Sequence, residues 1–92
     1  MDRALTHMDS CYWIPHVHLL GHVCKTNTHC NTAFRGFGAP QGQYIAESIM
    51  TTIADGLKMS VDELHWKNLN KEGELTPFLQ SIEDWHVPLI IT

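Results

Sequence analysis

A short glycine-rich segment, residues 34–42, constrains the fold of this chain more than any other feature of its sequence. The segment contains three glycines, one proline, two phenylalanines and one arginine. Glycine permits the positive φ angles of tight turns, and Pro40 suits the first turn of a helix, where the N–H that it lacks would be unpaired. The segment therefore predicts a tight loop leading into a helix, which we expect from about residue 40 to residue 54 or 55.

The same loop is the best candidate for a binding site. The N–H groups and dipole of a helix N-terminus favour an anionic or oxygen-rich ligand. Arg35 adds a cation, and Phe34 and Phe37 offer aromatic faces for a planar ligand. The alternative interpretation is that both phenylalanines fill the core. The spacing G-x-G-x-x-G of a dinucleotide-binding loop is missing, so we do not expect a dinucleotide fold.

Periodicity predicts the remaining elements. Isoleucines four residues apart give the helix an apolar face that we expect to be core, and Gly56 is a plausible helix stop. A second helix is expected to start at Ser60, whose spacing to Glu63 matches a capping box. A short helix is expected over residues 2–8, a strand over residues 16–24, and an extended tail over residues 75–92. The predicted fold class is α+β: short helix, strand, Gly-rich loop, two helices and an extended tail.

Size and charge exclude several functions. The chain has 92 residues, with ten acidic and six basic side chains and a formal net charge of −4. Because there is no basic excess, we expect neither nucleic acid nor an anionic membrane surface as a partner. Three cysteines with no C-x-x-C pair argue against a disulfide scaffold and favour a reducing, cytoplasmic setting.

A histidine-rich stretch suggests a second kind of site. His16, His18 and His22 would lie on one face of the predicted strand, and alternate strand positions can present imidazoles to zinc. His29 and Cys30 could add a thiolate. No partner sits at a recognised ligand spacing, so a polar sheet face explains the histidines more simply. A small zinc-binding module remains the alternative from another class of function.

Residues 31–42, Asn-Thr-Ala-Phe-Arg-Gly-Phe-Gly-Ala-Pro-Gln-Gly, resemble the signature loop of the molybdenum-binding portion of xanthine dehydrogenases. Flanking blocks follow in the family's order, including Asp-Arg-Ala-Leu at residues 2–5 and Lys-Glu-Gly-Glu-Leu-Thr at residues 71–76. The resemblance spans residues 2 to about 80. It implies that residues 1–92 are a partial molybdopterin-binding domain of a larger enzyme, called the parent enzyme below.

The resemblance implies roles for three residues. Arg3 matches the arginine that binds the purine substrate and stabilises negative charge on it. Phe37 matches the phenylalanine that packs against the substrate ring, and Arg35 matches a residue at the molybdenum centre. Related aldehyde oxidases typically lack an arginine at the position of Arg3, so its presence favours xanthine dehydrogenase over an aldehyde oxidase. His65 stands where the family usually has an arginine.

The resemblance also implies the reaction and the missing parts. The parent enzyme is expected to oxidise hypoxanthine to xanthine and xanthine to urate, as a homodimer in the cytoplasm or peroxisome. Its electrons would pass from molybdenum–molybdopterin through 2Fe-2S centres and FAD to NAD. This chain has no iron–sulfur cysteine set, no flavin segment and no candidate for the catalytic glutamate. We therefore assign no catalytic residue here and expect the 92 residues alone to be inactive.

Overall fold

The regular structure of residues 1–83 and 86 consists of three helices and two isolated antiparallel bridges. The computed structural model describes residues 1–83 and residue 86. The helices are α1 (Asp2–Thr6), α2 (Ala39–Leu57) and α3 (Val61–Asn68). The bridges pair Tyr12 with Leu69 and Leu75 with Ser81. None of the helices in these described residues is long and apolar enough to span a membrane.

The strand predicted over residues 16–24 is not formed. This stretch has no regular secondary structure, and side chains from both of its expected faces are exposed, with Val23 83% and Leu20 70% accessible. A strand needs a neighbour to pair with its backbone, and alternation of side chains does not supply one. The described part of the chain is therefore mostly helical rather than α+β. The extended tail is predicted over residues 75–92. Its residues 84, 85 and 87–92 lie outside the described residues.

The long helix α2 starts one residue earlier and ends later than its predicted bounds. Gly56 does not stop it, because glycine in a helix costs only about 1 kcal/mol relative to alanine. The helix ends where Lys58 adopts a left-handed conformation with φ 55°. There the N–H groups of Lys58 and Met59 donate to the carbonyls of Asp55 and Ala54, at 3.1 Å each. These bonds pair carbonyls that the helix end leaves free.

The predicted core face of α2 is wrong. Ile45, Ile49 and Ile53 are between 42% and 48% exposed. The buried residues of α2 are instead the small ones, Gly42, Ala46 and Ala54. Both α1 and α3 pack on α2, and small residues allow the closest approach of another helix. The isoleucines therefore form an apolar stripe that faces away from the other described helices.

Helix α3 begins as predicted, but its capping box is not made. Ser60 occupies the N-cap position with extended backbone, and its side chain donates and accepts no capping hydrogen bond. Asp62 and Glu63 in the first turn complement the positive end of the helix dipole. Glu63 also pairs with Lys67 at 2.8 Å, an exposed contact that contributes little.

A polar cluster of Tyr12, Glu47 and His65 connects the N-terminal segment to α2 and α3. Tyr12 is 4% exposed, and its hydroxyl donates to the Glu47 carboxylate. The other Glu47 oxygen lies 3.0 Å from His65 Nε2, and the rings of Tyr12 and His65 are 5.6 Å apart. Burial, and then the hydrogen bond to Glu47, raise the pKa of the Tyr12 phenol. The phenol therefore stays protonated as a donor.

Backbone bonds fix this cluster against α3. The Trp13 N–H donates to the Asn68 carbonyl at 2.8 Å, and the Asn70 N–H donates to the Cys11 carbonyl at 2.9 Å. Tyr12 lies between these two bonds, so its ring is held over the end of α3.

The fold leaves an unusually large surface in contact with solvent. The accessible area is 7743 Å², whereas a compact monomer of this mass exposes roughly 5,400 Å². The radius of gyration is 15.3 Å, against about 12 Å for a compact chain of this length. The buried hydrophobic side chains of the described residues are Tyr12, Ala46, Ala54 and Leu64. Such a surface suits a unit that packs against further protein.

Removing the Tyr12 hydroxyl tests the polar cluster. We expect Tyr12→Phe to lower the free energy of unfolding by about 1–2 kcal/mol, because Glu47 loses a donor in a partly shielded position. Tyr44→Phe is the matched control, since Tyr44 is 76% exposed, and it should change stability by less than about 0.5 kcal/mol. Urea unfolding followed by far-ultraviolet circular dichroism measures both. Equal stability of the two variants would show that the cluster does not hold the fold.

Candidate functional site

The glycine-rich turn, residues 35–38, presents Phe37 at the surface. Three consecutive residues have positive φ, with 91° at Gly36, 57° at Phe37 and 104° at Gly38. The Phe37 N–H donates to the Phe34 carbonyl at 2.8 Å, and the Ala39 N–H donates to the Gly36 carbonyl at 3.0 Å. A Cβ on Gly36 would lie 2.6 Å from the Pro40 ring. The turn therefore needs glycine, and it leaves Phe37 61% exposed.

Helix α1 lies directly on the start of α2. A Cβ on Gly42 would lie 2.3 Å from the Ala4 carbonyl oxygen, and one on Gly38 would lie 3.1 Å from the Ala4 nitrogen. Glycine at both positions, one helical turn apart, therefore makes the close contact possible. Because Arg3 precedes Ala4, this contact brings Arg3 to the turn that carries Phe37.

Arg3 and Phe37 meet in a cation–π contact. The guanidinium carbon of Arg3 lies over the Phe37 ring, 5.8 Å from its centroid. A contact of this kind at an exposed site contributes about 0.5–1 kcal/mol. A flat cation and an aromatic face are thus held side by side by residues far apart in sequence.

An open cavity of about 610 Å³ lies beside this pair. Its wall combines the cation, two aromatic rings and several amide and hydroxyl groups, with Asp2 as an exposed carboxylate; the principal residues are Arg3, Asn31, Phe34, Phe37, Gly38 and Gln41. The volume suits a small organic ligand. The mixture of one cation, aromatic faces and amides suits a planar, polar ring.

The structure brings two of the three predicted site residues together and places the third outside the cavity. Arg3 and Phe37 lie together on the cavity wall. Arg35 is exposed in the glycine-rich turn and is not among the residues that line the cavity. Phe34 is 81% exposed, so the alternative that the two phenylalanines fill the core is wrong for the described fold.

Three lining residues belong to the signature loop but have no predicted role. Nothing in the sequence marks Asn31, Thr32 and Gln41 individually as part of a cavity wall. The close approach of α1 did leave a signal, because Gly38, Gly42 and Ala46 are spaced four apart. Small residues at that spacing form a smooth helix face on which another backbone can lie, and this face is the one that α1 contacts.

The start of α2 has the properties that an anionic, oxygen-rich cofactor requires. Its N-cap is Gly38, which offers no side-chain hydrogen bond, and no acidic residue lies in its first turn. The Ala39 N–H is bonded to the Gly36 carbonyl and Pro40 has no N–H, so the first turn offers the Gln41 N–H and the positive end of the dipole toward the cavity, where Gly38 and Gln41 contribute to the wall. Phosphate and metal-bound oxygen groups of a molybdopterin cofactor match these donors in charge.

The histidine-rich stretch does not form a site. His16, His18 and His22 are exposed on a segment without strand structure, so they do not share a sheet face. Within residues 1–83 and 86, no group of three or more His, Cys, Asp or Glu side chains is arranged to hold a metal ion. The zinc hypothesis finds no support there.

Comparison with known proteins identifies the family. The family model of the molybdopterin cofactor-binding domain matches residues 1–69. The nicotinate hydroxylase of Emericella nidulans is 59% identical over 99% of this chain and 7% of its own length. The xanthine dehydrogenase of the same organism is 48% identical over 98% of this chain and 7% of its own length. The xanthine dehydrogenase/oxidase of Felis catus is 50% identical over 96% of this chain and 7% of its own.

The chain spans about 7% of the length of these relatives. The matched region nevertheless includes α1, the glycine-rich turn, α2 and α3, and therefore the whole of the cavity wall described above. The chain belongs to the molybdopterin cofactor-binding domain family, in the group of molybdenum hydroxylases that includes xanthine dehydrogenase.

Proposed function

We propose that this chain forms the substrate-binding wall of a xanthine dehydrogenase that oxidises hypoxanthine to xanthine and xanthine to urate. The observation that carries the proposal is the contact of Arg3 with Phe37 on the wall of the cavity. A purine that carries oxygen substituents is flat and gathers negative charge as it is hydroxylated. An aromatic face and a cation beside it meet both of those properties.

Phe37 would stack on the purine ring, and Arg3 would bind an oxygen at its edge. The distance of 5.8 Å between the guanidinium carbon and the ring centroid leaves no room for a second ring between them. A purine that stacks on this face of Phe37 must therefore displace Arg3 toward the edge of the ring. There the guanidinium meets an oxygen of the purine in a charge-assisted hydrogen bond, which strengthens as charge develops.

The cofactor would lie at the start of α2. The Gln41 N–H and the positive end of the α2 dipole would face its oxygen-rich groups. Arg35, which does not line the cavity, would lie at the molybdenum centre on the far side of the turn from the substrate. When bound, the cofactor supplies the two-electron redox chemistry of the hydroxylation. We assign the 2Fe-2S centres, FAD, the NAD site and the catalytic glutamate to other parts of the parent enzyme. We further propose that the parent is a cytoplasmic or peroxisomal homodimer.

Hydroxylation of nicotinate is the second candidate function. The observation that favours it is the 59% identity to a nicotinate hydroxylase, compared with 48% to the xanthine dehydrogenase of the same organism. Arg3 would then pair with the carboxylate of the pyridine ring instead of a purine oxygen, and Phe37 would stack in the same way. A parent enzyme that turns over nicotinate but not xanthine would decide for this candidate.

Replacing Arg3 in the parent enzyme tests the purine proposal. We expect Arg3→Met to lower kcat/KM for xanthine by about 100-fold or more, because the loss of a charge-assisted bond that stabilises the transition state costs about 2.7–4 kcal/mol. Lys25→Met is the control for charge, since Lys25 is exposed and does not line the cavity. Unchanged xanthine turnover in Arg3→Met would contradict the role of Arg3, whereas a wild-type parent that oxidises aldehydes but not xanthine would identify an aldehyde oxidase.

We expect the 92-residue chain to be inactive by itself. Asp2 is the carboxylate among the described residues that line the cavity, and no glutamate joins it there. Supplying the purified chain with molybdenum cofactor and xanthine should therefore yield no urate, as followed by ultraviolet absorbance. Urate formation above that of free cofactor would show that a complete site lies within these residues.

A further inference from the structure

We propose that Gly42 is a positioning residue, whose missing side chain lets α1 approach α2 closely enough to hold Arg3 over Phe37. The expected effect on catalysis rests on the proposed function, in which Arg3 contacts the substrate. The effect on the position of α1 rests only on the contacts that α1 makes.

The contact at Gly42 is made entirely by backbone. A Cβ there would lie 2.3 Å from the oxygen, 3.2 Å from the carbonyl carbon and 3.3 Å from the Cα of Ala4. None of these atoms belongs to a side chain that can rotate away. Since non-bonded heavy atoms pack at about 3.5 Å, a methyl group at Gly42 must displace α1 by about 1 Å.

Helix α1 has little of its own to resist such a displacement. It is five residues long, has no side-chain cap and has no buried residue. So short a helix is not stable in isolation, and its place is set by the surfaces on which it rests. Those surfaces are Gly38, Gly42 and also Gly21, where an added Cβ would lie 2.8 Å from the Leu5 side chain.

A displacement of α1 is transmitted to Arg3 directly. Arg3 adjoins Ala4, and its Cβ would lie 3.5 Å from a Cβ placed on Gly38. Moving the base of the side chain by about 1 Å shifts the guanidinium from the position beside Phe37 out of which it must reach the substrate, and a misplacement of that size can lower a rate by about 100-fold. The consequence is a loss of Arg3 function with Arg3 itself still present.

The test compares two glycine-to-alanine changes within α2 of the parent holoenzyme. In Gly42→Ala, kcat/KM for xanthine should fall by about 10- to 100-fold. Gly56→Ala is the matched control, because nothing lies within 4 Å of a Cβ at that position, and its kcat/KM should stay at the wild-type value. Equal activity of the two variants would overturn the inference.

A double variant separates positioning from a general structural role. In an Arg3→Met background, adding Gly42→Ala should lower kcat/KM by less than about threefold, because both changes remove the same interaction. Molybdenum content should equal that of the wild type. A further loss of 10-fold or more in the double variant, or loss of molybdenum from Gly42→Ala, would mean that Gly42 acts on the fold and not through Arg3.

A crystal structure of the Gly42→Ala holoenzyme tests the geometry independently of the substrate. The separation of the Arg3 guanidinium carbon from the Phe37 centroid, 5.8 Å here, should increase; an unchanged separation would overturn the inference. If xanthine turnover is insensitive to Arg3→Met, the proposed function fails, while this separation still decides the positioning role.

A milder variant keeps the test decisive if Gly42→Ala does not accumulate. Gly38→Asn places a Cβ 3.1 Å from the Ala4 nitrogen, a looser contact than at Gly42, and asparagine accepts a positive φ such as the 104° at this position better than most residues do. Its kcat/KM should fall below that of Gly56→Ala. Equal kcat/KM values for Gly38→Asn and Gly56→Ala would contradict the inference.

Discussion

The contact between the Ala4 carbonyl and Gly42 is the interaction on which the candidate site depends. It brings a five-residue helix against the start of α2, and it is possible only because Gly42 has no side chain. Because α1 lies so close to α2, Arg3 reaches Phe37. The cavity wall therefore combines a cation with an aromatic face beside a helix N-terminus. The candidate site is thus built mainly from backbone contacts.

The rest of the fold supports this contact without enclosing it. Tyr12, Glu47 and His65 tie the segment after α1 to α2 and α3, so the direction of the chain leaving α1 is fixed. The isoleucines of α2 remain exposed on a different face. An exposed apolar stripe and a surface well above that of a compact monomer suit a unit that packs against more protein, in keeping with relatives of which this chain spans about 7%.

The sequence predicted those features that local patterns determine. Pro40 and the glycines before it located the start of α2, and Ser60 located the start of α3. Patterns that depend on a partner were misleading: residues 16–24 alternate like a strand but have no strand to pair with, and Ile45 is spaced like a core residue but faces solvent. The composition of the loop indicated Phe37 as an aromatic face, but Arg3 and its pairing with Phe37 were identified through the family resemblance, because no local pattern relates two residues so far apart in the chain.

The most direct test of the account is a crystal structure of the molybdenum-loaded parent enzyme with a slowly oxidised purine bound. We expect the purine ring to lie against Phe37, with the Arg3 guanidinium within hydrogen-bonding distance of a purine oxygen and the Ala4 carbonyl still in contact with Gly42. A purine bound out of reach of both Arg3 and Phe37 would contradict it.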